Sequence, residues 1–299
     1  MKHNTVLKVS GLCLLGSWQM IHADAFLDVN GVFTTFNVPG AEPDSTVATS
    51  INNLGQIAGF VFNSGIPFVE GFVDTNGVFT TFGPGVGFGA IESVTGINDA
   101  GQIVGNIETS SFSAGFLDTN GVITLLPNSE DAVITGINDS GEIIVFGPGP
   151  GVGVSEILNL SGGAINLYIP GTLGTTATGI SNTGEVVGEA SYIPPSPVTY
   201  WTWHGGFTMI SLPGGPTGIN ASGQIIGTLA SGQSYLDTNG VIQTIDVPGS
   251  TSTTALGIND GGEIVGSFTP AVVPEPTSLL LIASGLAGLV ALRRYLPRP

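Results

Sequence analysis

Gly96-Ile97-Asn98-Asp99-Ala100-Gly101-Gln102-Ile103-Val104-Gly105 is the clearest copy of a phrase that returns from Ser50, Gly136, Gly179, Gly218 and Gly257. A second phrase, Phe116-Leu117-Asp118-Thr119-Asn120-Gly121-Val122, returns from Phe72 and Tyr235, closely from Phe26, and weakly from Ile157 and Trp201. The two alternate six times, and starts of the second phrase lie 46, 44, 41, 44 and 34 residues apart. A fixed period of this length marks a repeat architecture rather than a chain of unrelated domains. Asn-Gly between apolar runs is a strong hairpin signal, because a tight type I′ turn needs positive φ at both central residues. Phe116–Asp118 is therefore expected to pair with Val122–Leu125. Val133–Ile137 is expected to pair with Glu142–Val145 across Asp139-Ser140-Gly141. The run Phe146-Gly147-Pro148-Gly149-Pro150-Gly151 reads as loop.

Two hairpins per repeat give four short strands in about 40–45 residues, the unit of a propeller blade. One blade cannot bury both of its faces, so neighbours must stack to complete a core. The predicted fold is all-β, a β-propeller-like array of about six four-stranded repeats over residues 26–272. A β-solenoid is the alternative, disfavoured because solenoid coils do not normally reverse at tight hairpins. The second of the two phrase types to be met along each repeat, Gly-Ile-Asn-Asp-x-Gly-Gln-Ile-Val-Gly, resembles that of the HAF family of extracellular repeat proteins. That resemblance implies a propeller-type fold and covers most of residues 26–268. Repeat four departs from it with Ser181-Asn182, repeat three ends Ile144-Val145-Phe146 without the final Gly, and repeat five is short.

Charge narrows the partners. The five basic residues, Lys2, Lys8, Arg293, Arg294 and Arg298, all lie at the two ends of the 299-residue chain. Residues 26–276 hold 21 of the 22 acids and no Lys or Arg. That stretch cannot form a Lys/Arg–carboxylate ion pair. It also lacks the side chains that grip phosphate, which argues against nucleic acid as a partner. Cations and neutral hydroxyl-rich ligands such as extracellular polysaccharide fit better. The plainer reading is an acidic surface kept soluble by net repulsion. The single cysteine, Cys13, lies in the N-terminal apolar run, so the repeats have no thiol for a disulfide, a metal or nucleophilic catalysis.

The ends read as addresses. Lys2 and Lys8 precede the apolar run Val9–Met20, and Ala23-Asp24-Ala25 matches a signal-peptidase box, which makes residues 1–25 a secretory signal cut after Ala25. At the other end, Pro274-Glu275-Pro276 is followed by Thr277–Leu292, sixteen residues without charge, and then by Arg293-Arg294. Proline keeps the motif extended. Residues 277–292 read as a transmembrane helix. At ~1.5 Å per residue it spans about 24 Å, somewhat less than a ~30 Å hydrocarbon core, a mismatch that bilayers absorb. The arginines place the C-terminus on the cytoplasmic side and the repeats outside. Residues 273–299 resemble the tail of PEP-CTERM exported proteins. That resemblance implies recognition and cleavage by an exosortase-type membrane protease, transient anchoring through the helix, and a Gram-negative host that makes extracellular polysaccharide.

No catalytic constellation stands out, so no catalytic residue and no metal ligand is assigned. His204 is the only histidine after the signal, it falls at a hairpin tip, and no Gly-x-Ser-x-Gly elbow accompanies it. Trp201 and Trp203 read as strand residues, with sugar stacking as the sharper alternative. Asp74, Asp118 and Asp237 precede hairpin glycines, and Asp99, Asp139 and Asp260 recur in the other turn. Both sets read as caps on backbone N–H groups within their turns. Calcium is the sharper reading, but Asp-x-Asn-Gly lacks the closing Glu of a calcium loop. The functional expectation is a non-enzymatic surface or matrix protein. The alternative is a carbohydrate-active enzyme with a carboxylate pair in the propeller channel.

Overall fold

A computed structural model describes residues 24–62, 69–84, 88–148, 153–160, 163–193 and 196–271. The chain opens with β1 (Asp24–Val29) and β2 (Val32–Phe36). The first complete blade is β3 (Thr46–Ile51), β4 (Gln56–Phe62), β5 (Val69–Thr75) and β6 (Val78–Phe82). The second is β7 (Ala90–Ile97), β8 (Ile103–Glu108), β9 (Ser113–Thr119) and β10 (Val122–Leu125). The third is β11 (Val133–Ile137), β12 (Glu142–Pro148), β13 (Gly153–Asn159) and β14 (Ala164–Asn166). The fourth is β15 (Gly174–Ile180), β16 (Val186–Ser191), β17 (Thr199–Trp203) and β18 (Phe207–Ile210), and the fifth is β19 (Gly215–Ile219), β20 (Ile225–Thr228), β21 (Ser234–Thr238) and β22 (Val241–Ile245). The chain ends its described part with β23 (Ser250–Ile258) and β24 (Ile264–Pro270).

These last two strands are only half a blade. The other half comes from the start of the chain, in the order β2-β1-β24-β23. Phe26 faces Gly266 and Asp28 faces Ile264 in that antiparallel seam. Six blades therefore close into a ring, with the sixth assembled from both ends. The propeller expectation holds and the solenoid is excluded. Within each blade the Gly-Ile-Asn-Asp hairpin is the inner pair, and the hairpin that follows it is the outer pair.

The recurrent apolar letters now have jobs. Phe26, Phe72, Phe116, Trp201 and Tyr235 are fully buried on the third strands of their blades. Each lies opposite the glycine that ends the inner phrase: Gly266, Gly59, Gly105, Gly188 and Gly227. A Cβ on Gly105 would come within 2.1 Å of the Ser93 carbonyl oxygen and 2.8 Å of the Phe116 ring. The glycine is thus the notch that seats the ring against the inner strand, which is itself bulged at Val94/Gly96. The same irregularity recurs before the inner phrase of every blade. Blade three departs at both members of the pair: Val145 replaces the glycine and Glu156, not Ile157, sits opposite it. Its third strand buries Ser155 and Ile157 instead.

Two loop and site readings are corrected. Phe146, Gly147 and Pro148 are not loop; they extend β12 and pair with Ser155, Val154 and Gly153. Proline is tolerable there because it is the last residue of the strand, where a missing N–H costs little of the ladder. Trp201 cannot stack on a sugar, since it is completely enclosed and meets Phe207 edge-on. His204 is exposed in the β17–β18 turn, as read. Among the described residues there is no helix, and none long and apolar enough to cross a membrane. Ala23, Pro274, Glu275, Pro276, Arg293, Arg294 and the helix read at 277–292 lie outside the described residues. Ala25 lies inside them, as a fully buried residue of β1.

Gly105→Ala is expected to destabilise the fold by more than ~3 kcal/mol, because two immovable neighbours meet the new methyl. Gly121→Ala, at a hairpin tip with open space around it, should cost only the strain of its positive φ. Denaturant melts of the two variants side by side would check the ranking.

Candidate functional site at the channel mouth

The inner strands surround the central channel, and turn residues of five of the six blades line one end of it. Five of the turns are built by an Asn and the fourth by Ser181. The Oδ1 of Asn52 accepts from the N–H groups of Leu54 (3.1 Å) and Gln56 (2.9 Å). Its Nδ2 donates to Oε1 of Gln56 at 2.8 Å. Asn138 and Asn220 repeat this pattern with Glu142 and Gln224. The glycine three residues on, Gly55 in the first turn, has φ of 74° and its counterparts lie close to that. This accounts for the Asn-x-x-Gly-Gln/Glu spacing of the phrase.

The same amide also reaches the next blade. Asn52 Nδ2 donates to the Asn98 carbonyl at 3.0 Å, Asn98 to Asn138 at 3.2 Å, and Asn138 to Ser181 at 3.2 Å. Asn220 donates to the Asn259 carbonyl at 3.0 Å, and Asn259 returns to the Asn52 carbonyl at 3.2 Å. These side chains are buried, and an amide with every donor and acceptor engaged is the form in which burial is tolerated.

A second ring runs outside the first. The N–H of Asn53 donates to Oδ1 of Asp99 (2.7 Å), that of Asp99 to Asp139 (2.7 Å), and that of Asp139 to Asn182 (2.9 Å). The N–H of Ala221 donates to Asp260 (2.8 Å), and that of Asp260 to Asn53 (2.9 Å). Asp99, Asp139 and Asp260 are therefore not caps of their own turns, as the sequence implied. They cap the turn of the preceding blade, and the Asn before each of them caps its own. Asp74 and Asp237 do behave as read, accepting from Gly77 and Gly240 at 2.7 and 2.6 Å, and Asp28 accepts likewise from Gly31 at 2.6 Å. Asp118 buries one carboxylate oxygen without a hydrogen bond.

Both rings break at the same place. In blade four Ser181 has no amide to send to blade five, and in blade five Ala221 has no side chain to accept from blade four. Asn182 Nδ2 instead reaches past blade five to Oδ2 of Asp260 at 2.9 Å. A third device fails at this seam too. Between blades two and three Asn106 Oδ1 accepts from the Ile134 N–H at 2.9 Å. The corresponding residue of blade four is Glu189, beside Gly215, and the residue matching Ile134 is Pro216, which has no N–H. What remains is apolar: Val187, Ile219 and Ile225, flanked by Ile210 and Leu212.

Electrostatically the mouth is one-signed. Burial raises the Asp139 carboxyl above its usual range; the Asp99 N–H opposes this, and the charges of Asp99 and Asp260 add to it. Burial alone raises Glu189. The free volume of the channel is about 80 Å³, far below the ~300–1,000 Å³ of pockets that enclose a small-molecule ligand. Among the described residues no group of three or more His, Cys, Asp or Glu is placed to hold a metal ion.

Residues 272–294 match the PEP-CTERM protein-sorting motif. The fold is similar to TolB from Acinetobacter baumannii, at 11% identity and TM-score 0.56, over 83% of this chain and 64% of that one. It is also similar to a TolB-type protein from Agrobacterium tumefaciens, at 12% identity and TM-score 0.57, over 84% of this chain and 99% of that one. At such identities the likeness is one of fold. The chain spans somewhat less than two thirds of the first of these proteins. No curated protein sequence matches it.

Two predictions follow from the rings. Ser181→Asn with Ala221→Asn should restore both broken links and raise the thermal midpoint, by roughly 1 kcal/mol per hydrogen bond gained. The second concerns pH. A carboxyl whose pKa is higher in the folded state binds its proton more tightly there. Its contribution is fully present below the unfolded value and fades as pH rises through the folded value. With Asp28, Asp139 and Glu189 all raised, the midpoint should climb as pH is lowered from 7 toward 5. Glu189→Gln should raise it at pH 7 and flatten that slope.

Proposed function

We propose that this is an exported, non-enzymatic surface or matrix protein, secreted through its N-terminal signal and sorted through its Pro-Glu-Pro tail by an exosortase-type protease. The observation that carries the reading is the sorting motif at residues 272–294, which begins directly after the last strand of a closed ring. The order of parts, Pro274-Glu275-Pro276, then an uncharged run to Leu292, then Arg293-Arg294, suits a segment that stops in a membrane with the propeller outside. The repeats, similar in phrase to the HAF type, serve as a stable acidic body that stays in or near extracellular polysaccharide.

The carbohydrate-active alternative gains one observation and loses another. Acids from different blades do face one channel mouth. Yet the oxygens of Asp99, Asp139 and Asp260 are engaged in blade-to-blade hydrogen bonds, and a channel of about 80 Å³ is well below the size of pockets that enclose a small-molecule ligand. A non-catalytic role is the better fit.

Replacing Pro274-Glu275-Pro276 by three alanines should leave the ring folded but abolish release from the membrane fraction of a host that carries the protease. Fractionation with intact mass measurement checks this; unchanged processing would sink the sorting role. Glycan-array binding by the wild-type protein, with hydrolysis assayed on every glycan retained, tests the ligand class; turnover would establish the enzymatic alternative.

A further inference from the structure

The secretion reading leaves the start of the mature chain to a choice between two tripeptides that end in alanine. Ala23-Asp24-Ala25 places the cut after Ala25, and Ile21-His22-Ala23 places it after Ala23. We propose that the signal is removed between Ala23 and Asp24, so that the mature protein begins at Asp24 and its α-ammonium adds a cation to a propeller without Lys or Arg. This rests on the secretion reading above and goes beyond it by fixing the processed bond.

The strand ladder carries the argument. β1 already includes Asp24 and Ala25 ahead of Phe26. Asp24 pairs with Phe268, and Ala25 pairs with Ser267 on one side and Phe36 on the other. Ala25 is fully buried and packs in the cluster that holds Val38, Ile57, Val61 and Phe72. A cut after Ala25 would delete one rung of the outer pairing and two rungs of the seam that closes the ring. It would also leave a methyl-sized void under Phe36 and a charged terminus at the fully buried Phe26. A cut after Ala23 leaves each of these described rungs in place.

A second observation points to the same bond. Oδ1 of Asp24 is buried and has no hydrogen-bond partner. In a chain with no Lys or Arg from residue 9 to residue 292, no side-chain ammonium or guanidinium is at hand for it. Cleavage after Ala23 converts the neutral amide of Asp24 into an α-ammonium, ordinarily titrating near ~8, within reach of its own side-chain carboxylate. Peptide hydrolysis supplies this charge with water as the only co-reactant: the C–N bond of Ala23–Asp24 breaks, Ala23 takes the hydroxyl, and the new amine takes the proton. The facing residues on β24 are Phe268 and Ser267, so the only titratable partner within the rung is the Asp24 carboxylate itself.

The test is the intact mass and N-terminal sequence of the full chain secreted from a Gram-negative host. A start at Asp24 is expected. A start at Phe26 would overturn the proposal while leaving secretion intact. A start at Met1 would overturn the secretion reading on which it depends. Two chains made to begin at Asp24 or at Phe26, both running to Pro299, supply the structural control. The first should melt at least ~4 °C higher, the shift that a loss of ~1–2 kcal/mol produces in a domain of this size. Asp24→Asn in the first chain should lower its midpoint at pH 6 and leave it unchanged at pH 10, where the amine is neutral. Equal midpoints for the two chains would count against the assigned bond.

Discussion

Five of the six blade junctions are made by a main-chain group that meets an Asn or Asp side chain, and this hand-off is what allows a ring to form from a chain almost without cations. Many folds lock neighbouring elements with Arg or Lys against a carboxylate. Here that option is absent, and the acids would repel one another if they faced solvent in a cluster. Giving each acid a backbone N–H from the blade before it turns a repulsive set into a chain of charge-assisted bonds. Inside it, the Asn amides do the same with carbonyls and carry no charge at all. The phrase Gly-Ile-Asn-Asp is therefore an instruction for joining blades as well as for turning a hairpin.

That double duty sets the limit of what could be read. Two alternating phrases announced six four-stranded units, and Asn-Gly announced the outer hairpins, because local turn chemistry is written in adjacent residues. The partner of Asp99 is 40 residues away in Asp139's blade and 46 away in Asn53's, so a single phrase looks like a cap for itself. The signal that could have exposed the rings was the pairing of Asn with Asp in three of the six inner turns: one side chain suffices to cap a turn, and a second that recurs beside it needs another employer. The order of phrases also held a clue to closure. The array begins with an outer phrase at Phe26 and ends with an inner one at Gly257, so it contains two half blades. The extension of β12 through Pro148 was invisible, since Gly-Pro alternation reads as loop whenever the pairing strand is not known.

The seam between blades four and five shows the hand-off by its failure. Ser181, Ala221 and Pro216 each remove one link, on three different levels of the same interface, and Asn182 bridges to Asp260 across the missing position. Cohesion there falls to the packing of Val187, Ile219 and Ile225. Apolar packing is less directional than hydrogen bonding, so this is the interface at which the ring is least constrained in angle. Two of the three irregular repeats noted in the sequence, four and five, flank it.

A ring sewn shut by its own two ends brings those ends together. Asp24 and Phe268 face each other across one rung, while the Asn–Asp turns lie at the opposite end of the same strands, next to Ile264 and Asp28. The first and last described strands therefore start and finish at a single rim, and the carboxylate-lined mouth opens at the other.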